Sequence, residues 1–180
     1  MLSKLRKMAH GYASPDQAPL AGYVAAMLVY GVTLSVALPV VRRARSRPGW
    51  ADVALLGVGT HKLSRIITKD FVTAPLRAPF TRRAQPEGAA EVHDEPRGGP
   101  LRKSIGYLLT CPYCFGVWTS TALNLLFLLR PVETQFILRV LAADTLSDFL
   151  HLTYSRLNEE RKALNTRRPI EQLETQSATP

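Results

Sequence analysis

Apolar residues along the chain gather into two long runs that contain no charged side chain. The first occupies residues 19–41 and the second residues 104–129. At about 1.5 Å per residue, a helix over either run is longer than the ~30 Å hydrocarbon core of a bilayer. A helix that is apolar on every face needs lipid or a large protein core around it. The pattern therefore predicts two membrane spans, at 19–41 and 104–130.

Two further segments have the apolar spacing of helices but also carry charges. Residues 50–73 are apolar at first and then polar on one face, and residues 132–155 contain Arg139, Asp144 and Asp148. Both segments are long enough to cross a bilayer with tilt or local thinning. An amphipathic helix on the membrane surface is the alternative for either. We predict an all-α, multi-pass membrane protein with four membrane helices, two strongly apolar and two charged.

The segments outside these helices are polar. Residues 1–18 form a basic N-terminal segment, and residues 74–103 are rich in Pro and Gly, with few bulky apolar side chains. That composition predicts an extended or disordered linker. Pro75 is expected to end the second helix near Thr73. The tail 156–180 begins with a helical pattern and is expected to become disordered toward its end.

Lysine and arginine residues between the helices indicate the side of the membrane on which each loop lies. With four crossings and an internal N-terminus, 15 of these residues lie on the cytoplasmic side and 5 lie outside. If the second helix lies on the cytoplasmic surface instead, the N-terminus is outside, and the rule does not separate the two arrangements. Both arrangements predict a multi-pass protein of the cell membrane whose middle loop and C-terminus are cytoplasmic.

The overall charge agrees with this picture. The 180 residues include 23 Lys and Arg against 14 Asp and Glu, a formal net charge of +9. Such an excess can indicate nucleic-acid binding. Here the excess lies at the ends of the apolar runs, where basic residues set orientation and meet anionic lipid. The expected partner is therefore the lipid bilayer and not nucleic acid.

The tetrapeptide CPYC at residues 111–114 is the most distinctive chemical feature. Glutaredoxins carry the same four residues at a helix N-terminus, but in a soluble βαβ surround, whereas this motif lies in an apolar run. Four interpretations stay open: buried, reduced structural cysteines; a zinc site in which His61 or His151 joins Cys111 and Cys114; a labile disulfide; and an oxidoreductase. The first is favoured, so we expect no catalytic residue and no cofactor, with zinc as the alternative.

Charged residues on the two weaker helices are spaced to share faces. Asp144 and Asp148 are four residues apart on the last helix and share a face with His151. Charges at membrane depth pair with one another or line a wet cavity. The simplest arrangement places Lys62 and Arg65 of the second helix against the two acids and locks the helices together. The alternative is an ion or proton path through an oligomer.

Two stretches of sequence resemble a known family. The first box, residues 61–77, reads HKLSRIITKDFVTAPLR, and the second box, residues 106–120, reads GYLLTCPYCFGVWTS. Together they resemble the domain of unknown function 1360, a family of small integral membrane proteins of bacteria and phages. The family pattern is a basic and apolar stretch with a following acid, and then a C-x-x-C-x-G-x-W box. The matching positions are Lys62, Leu63, Ser64, Arg65, Ile66, Ile67, Asp70, Cys111, Cys114, Gly116 and Trp118.

The resemblance covers roughly residues 50–154. Lys62 stands where the family pattern has arginine, which keeps the charge but not the bidentate fork. The family has no assigned activity, so the resemblance implies an integral membrane protein and supplies no mechanism. The leading hypothesis is a non-enzymatic structural, assembly or permeability component that associates with itself or with other membrane proteins. The alternatives are a membrane thiol or metal protein and a small ion or proton conductor.

Overall fold

The computed structural model describes residues 20–44, 46–86 and 91–177, most of them in helices. The predicted basic segment 1–18 lies outside these residues. The chain divides into two compact units, residues 1–141 and residues 142–180. In chain order the elements are α1 (Leu20–Arg43), α2 (Trp50–Thr68), a 3₁₀ turn (Phe71–Thr73), α3 (Ala74–Arg77), β1 (Thr81–Pro86), β2 (Val92–Pro96), α4 (Pro100–Thr110), α5 (Pro112–Leu129) and α6 (Pro131–Ser177).

Among the described helices, α1 and α5 are long and apolar enough to cross a membrane. Only 6% of the most apolar stretch of α1 and 17% of that of α5 is buried. The core helix of a soluble protein would be mostly buried, so this exposure favours contact with lipid. Helices α2 and α6 are not among the described helices that are long and apolar enough to cross a membrane. Four membrane helices are therefore not confirmed.

The second apolar run is not one continuous helix, which corrects the predicted span 104–130. Helix α4 ends at Thr110, and Cys111 is extended, with φ −107° and ψ 106°, before α5 begins at Pro112. A residue before proline is disfavoured in the helical region, whereas proline suits the first turn of a helix, where its missing N–H leaves no bond unmade. The apolar helix is therefore Pro112–Leu129.

The predicted linker 74–103 is folded in its described parts, which corrects the expectation of extended or disordered chain. Strands β1 and β2 pair antiparallel, with Arg82 opposite Glu95. Val92 and Asp94 are buried on the inner side of β2. The buried ion pair between Asp94 and Arg77 holds the hairpin in place. The Pro- and Gly-rich composition of the segment does not indicate this pair. Within the described residues the fold is therefore mostly helical with one two-stranded sheet, and not strictly all-α.

Helix α4 lies directly against the hairpin at Gly106. A Cβ atom there would be 2.7 Å from the carbonyl oxygen of Phe80 and 2.9 Å from the Cβ of Pro96. Neither atom can swing away, so the close approach requires glycine. Gly98, with φ +93°, turns the chain out of β2, and Pro100 then starts α4. The hairpin and α4 thus form one packed element.

A small apolar core joins α2, α5 and the beginning of α6. Leu56, Leu123, Phe127 and Leu138 are buried together. Gly59 allows α6 to approach α2, since a Cβ atom at this position would clash with Leu138. The first half of α2 therefore packs on the second half of α5, and the two helices run antiparallel.

Helix α1 runs parallel to α5. At the beginning of α1, Gly22 lies so close to Ser104 that a Cβ atom would collide with its hydroxyl. Farther along, the Tyr30 hydroxyl is 2.9 Å from Oγ1 of Thr121, and the Tyr30 ring meets Trp118 edge-on at a centroid distance of 5.1 Å. The last turns of α1 lie beside the last turns of α5.

Helices α2 and α6 end at points other than the predicted ones. Helix α2 ends at Thr68, before the predicted Thr73, and the 3₁₀ turn follows. Helix α6 continues through Pro169 to Ser177, so neither a boundary at residue 155 nor a disordered tail is confirmed within the described residues. Arg, Leu, Glu, Lys and Ala dominate residues 156–164, and these are strong helix formers, which explains the continuation.

Candidate functional site

Arg77 lies where α2, α3 and the hairpin meet, and its side chain is completely buried. Its Nε donates to Oδ2 of Asp94 at 2.9 Å. Its Nη1 donates to the Ile67 carbonyl and to Oγ1 of Thr73, both at 2.8 Å, and its Nη2 donates to the Asp70 carbonyl at 2.9 Å. The planar guanidinium suits several acceptors at once. These five residues form the Arg77 network, which links the end of α2, the 3₁₀ turn and β2.

Arg77 and Asp94 were not identified from the sequence. They are 17 residues apart, on either side of the hairpin turn, so no spacing rule brings them together. The sequence contains one indication of this pair. Arg77 is the last residue of the first box and lies seven residues after Asp70, an acid of the same motif. A charged residue at the edge of a motif is a candidate for a buried pair, but the partner follows only from the fold.

Arg65 forms an ion pair with Glu91, whose backbone bridges to Asp70. The sequence predicts Asp144 and Asp148 as the partners of Lys62 and Arg65, and the two acids are exposed residues of the second unit. Lys62 is buried in the first unit. The partner of Arg65 in the first unit is thus a different acid, and pairing between helices α2 and α6 stays a prediction, as does an ion path along them.

The two boxes face each other across a cleft of about 460 Å³, which we call the box cleft. Its wall is built from α2 on one side, α5 on the other and one residue of α1. The lining residues are Tyr30, Gly57, Thr60, His61, Ser64, Arg65, Pro112, Tyr113, Gly116, Val117, Ser120 and Thr121. Motif residues far apart in the chain, from both boxes, therefore meet at one place.

The box cleft has walls of mixed character, more apolar than polar, and unfilled room. A Cβ atom added at Gly57 or Gly116 meets no atom of the described chain within 4 Å. Oγ of Ser64 donates to the His61 carbonyl at 2.9 Å, while the buried Oγ1 of Thr60 has no hydrogen-bond partner among the described residues. Buried hydroxyl groups are usually satisfied. The open space at Gly57 and Gly116 can therefore accept a further group, whereas the Thr60 oxygen is closed off from the cleft.

Cys111 caps the N-terminus of α5. Its Sγ accepts the backbone N–H of Cys114 at 3.2 Å, in the manner of an N-cap side chain. Both thiols are free; Cys111 is half-buried and Cys114 is exposed. This geometry favours a structural role for Cys111. The expectation that both cysteines are buried is corrected for Cys114, which lies in the exposed first turn of the helix.

The predicted zinc ligands Cys111, Cys114 and His61 belong to the first unit, and His151 belongs to the second. Within the described parts of the chain, no group of three or more His, Cys, Asp or Glu residues could hold a metal ion. His61 is exposed and lines the box cleft, and His151 is also exposed. Zinc binding by these residues stays a prediction.

The remaining motif positions serve the fold. Leu63 packs against the apolar core, and the Trp118 ring packs against α1. Asp70 and Ile67 offer their backbone carbonyls, not their side chains, to Arg77. Much of the first box is thus needed for its backbone geometry. The chemical types of its side chains do not reveal this role.

Comparison with known proteins gives a family without an assigned activity. The family described as "Protein of unknown function (DUF1360)" matches residues 55–154. A relative named "Sporulation protein YjcA", from Bacillus subtilis (strain 168), is 29% identical over 111 residues, which cover 60% of this chain and 94% of the relative. No solved structure matches. The matched range contains both boxes and the whole Arg77 network.

Asp94→Asn should destabilise the hairpin strongly. The substitution keeps the size of the side chain but removes the negative charge beside the buried Arg77. We expect the opening free energy of the hairpin to fall by about 3 kcal/mol, because removal of one partner from a buried ion pair costs about 3–5 kcal/mol. Hydrogen exchange of the backbone amides in residues 81–96 of the full-length protein measures this change.

Glu95→Gln is the matched control on the neighbouring residue. Glu95 pairs with Arg82 at 2.7 Å, but the side chains of Arg82 and Glu95 are 69% and 45% exposed. Loss of such a surface pair changes stability by less than about 1 kcal/mol. Equal effects of Asp94→Asn and Glu95→Gln on hydrogen exchange would contradict the organising role of the Arg77 network.

Proposed function

The chain belongs to the DUF1360 family of unknown function, and from this premise we propose that it is a non-enzymatic, multi-pass membrane component that assembles with itself through the box cleft. The observation that supports the proposal is the cleft, where polar residues of both boxes surround open space beside two apolar helices. Polar residues at membrane depth face protein or water and not lipid. A helix of a second copy is therefore the expected cover.

The directions of the helices support more than two crossings. Helix α2 has 19 residues and α5 has 18, so that each extends about 27–29 Å. They run antiparallel side by side, from the cluster of Leu56 and Phe127 at one end to Arg65 and Pro112 at the other. A bilayer that contains α5 then also contains α2, and a surface position for α2 is disfavoured. Helix α6 returns beside α2 as far as Leu141.

The charges of the loops support a cytoplasmic position for the hairpin. Because α1 and α5 run parallel, the N-terminal segment and the hairpin belong to the same side of the membrane. Residues 1–18 carry three Lys or Arg and residues 69–103 carry seven, against four in residues 42–47 and Arg130 at the other end. The excess of basic residues favours the cytoplasm for the middle loop. The five Lys and Arg residues of the tail, between residues 156 and 168, favour the same side for the C-terminus.

Small residues make the box cleft suitable for close contact between helices. Gly57, Gly116 and Ser120 line it, and small residues let the backbones of membrane helices approach each other. The Bacillus subtilis relative is named for a process, sporulation, and for no reaction, which agrees with a non-enzymatic role.

Gly116→Leu should weaken self-association by about tenfold or more, equivalent to about 1.4 kcal/mol. The leucine fills space that the helix of a second copy would occupy, and within the described chain nothing lies close enough to Gly116 to clash with its Cβ. The variant should therefore fold with an unchanged thermal midpoint. Cross-linking in native membranes and Förster transfer between labelled copies in liposomes measure the association.

Gly31→Leu is the matched control. Gly31 on α1 also has open space for a Cβ among the described atoms, but it does not line the box cleft. This variant should associate as the wild type does. Wild-type association in Gly116→Leu, or a wild-type protein that stays monomeric at every protein-to-lipid ratio, would contradict the proposal.

Thiol–disulfide chemistry is the second candidate function, because Cys111 and Cys114 are both free and lie together at the N-terminus of α5. In such a reaction the pair would pass two electrons and two protons to a substrate disulfide and become a disulfide itself.

Self-assembly without thiol chemistry predicts that both cysteines are reduced in native membranes and that Cys114 is dispensable. Titration without reductant should give two thiols per chain, and Cys114→Ser should associate like the wild type. Cys111→Ser is the companion variant, since serine is a strong N-cap and keeps the start of α5. A disulfide that reductant opens reversibly, or a loss of association in Cys114→Ser, would favour the thiol function instead.

A further inference from the structure

A second open space lies along α5, between this helix and the second half of α1, and encloses about 470 Å³. We call it the Asn124 groove. Ser120 and Thr121 line both this groove and the box cleft, so the two spaces adjoin along one face of α5. Gly116, Ser120 and Asn124 follow one another on this face at intervals of four residues. A helix that enters the box cleft and stays on this face therefore reaches Asn124.

The side-chain amide of Asn124 has hydrogen-bonding groups that the rest of the described chain does not use. Its Nδ2 donates to the Ser120 carbonyl at 2.9 Å, and this is the only hydrogen bond of that side chain among the described residues. An asparagine amide offers two N–H donors and a carbonyl oxygen with two lone pairs. One donor and the acceptor are therefore available to a partner, and the half-buried side chain lines the open groove.

The position of Asn124 along α5 makes these groups costly to leave without a partner. Helix α5 has 18 residues, and Asn124 lies only about 5 Å from its middle. In a bilayer this is the depth of the hydrocarbon, where no water satisfies an amide. Polar side chains at such a depth hydrogen-bond across to a neighbouring helix. Thr121 differs, because its hydroxyl already has the Val117 carbonyl and the Tyr30 hydroxyl as partners.

The geometry of a membrane dimer determines which group of a second copy can reach Asn124. Two copies with the same orientation in the bilayer are related by an axis along the membrane normal, so equivalent residues lie at the same depth. Within α1, α2 and α5, Asn124 is the only residue with a side-chain amide. An amide is complementary to a second amide, because each carries both a donor and an acceptor. The Asn124 side chain of a second copy therefore fits this place.

We propose that a second copy packs its own α5 against this face in parallel, so that the two Asn124 amides hydrogen-bond to each other. The inference rests on the proposed self-assembly and identifies α5 as the partner helix. Gly116 and Ser120 let the two helices approach closely on the same face. The amide pair then fixes which residues of the two helices lie opposite each other, as a single asparagine does at the interface of a coiled coil.

Oxidative cross-linking in native membranes tests the parallel arrangement. Asn124→Cys is introduced into the full-length chain together with Cys111→Ser and Cys114→Ser, and copper phenanthroline is the oxidant. A disulfide needs Cα atoms within about 7 Å of each other, which residues near the axis of two closely packed helices reach. We expect Asn124→Cys to form a covalent dimer that reductant separates.

Ala122→Cys in the same background is the matched control. Ala122 lies two residues from Asn124 and therefore at nearly the same depth, but it is exposed on the other side of α5. This variant should stay monomeric under the same oxidation. The comparison separates a specific contact at Asn124 from random collisions between copies in the membrane.

The strength of association tests the hydrogen bond itself. Asn124→Leu removes the amide and keeps an apolar side chain that suits the bilayer. We expect association to weaken about three- to tenfold, the range for a hydrogen bond between membrane helices, as measured by Förster transfer between labelled copies in liposomes. Asn124→Gln keeps an amide and should associate more strongly than Asn124→Leu, and Ala122→Leu should associate like the wild type. If Asn124→Leu does not fold, the cross-linking of Asn124→Cys decides.

The outcomes separate this inference from the proposed function. Absence of a disulfide in Asn124→Cys means that lipid or another protein fills the groove, and it would overturn the α5 pair even where Gly116→Leu weakens association. Equal cross-linking of Ala122→Cys, or wild-type association of Asn124→Leu, would overturn it as well. A disulfide in Asn124→Cys but not in Ala122→Cys, with unchanged association in Gly116→Leu, would support the pair and contradict only the box cleft.

Discussion

Burial of the Arg77 guanidinium is the constraint on which the first unit depends. A charge without water needs acceptors inside the protein, because an unpaired buried charge costs several kcal/mol. Ile67, Asp70 and Asp94 supply these acceptors from three separate segments, so the end of α2, the turn after it and β2 can adopt only one relative arrangement. The hairpin fixed in this way packs on α4 at Gly106, and α4 leads into α5 opposite the end of α2. The box cleft exists because both helices meet at this point.

The motif residues therefore divide between two tasks. Some hold the fold: Cys111 caps α5, and Ile67 offers its carbonyl to the Arg77 network. Others face the box cleft, among them Ser64 and Gly116, and leave open space there.

Local sequence predicts the apolar helices well, because a lipid-facing helix needs only a long run of apolar residues. The break before α5 could also be predicted from the sequence, because Pro112 disfavours a helical conformation at Cys111. The hairpin could not, because its strands are short, polar and rich in charge, without the alternation of apolar residues that indicates strands. The ion-pair partners of the charged residues could not be predicted from the sequence either. Helix spacing gives the face on which Arg65 lies, but only the fold shows that it pairs with Glu91.

We propose above all that α2 crosses the membrane beside α5, so that the loop after α1 and the hairpin lie on opposite sides. Labelling with a membrane-impermeant maleimide tests it in a background of Cys111→Ser and Cys114→Ser. Single cysteines are introduced as Ser46→Cys in the loop before α2 and Ala84→Cys on the exposed side of β1. In intact cells we expect labelling of the Ser46→Cys variant. The Ala84→Cys variant should be labelled only after permeabilisation. Labelling of both variants from the same side would contradict it.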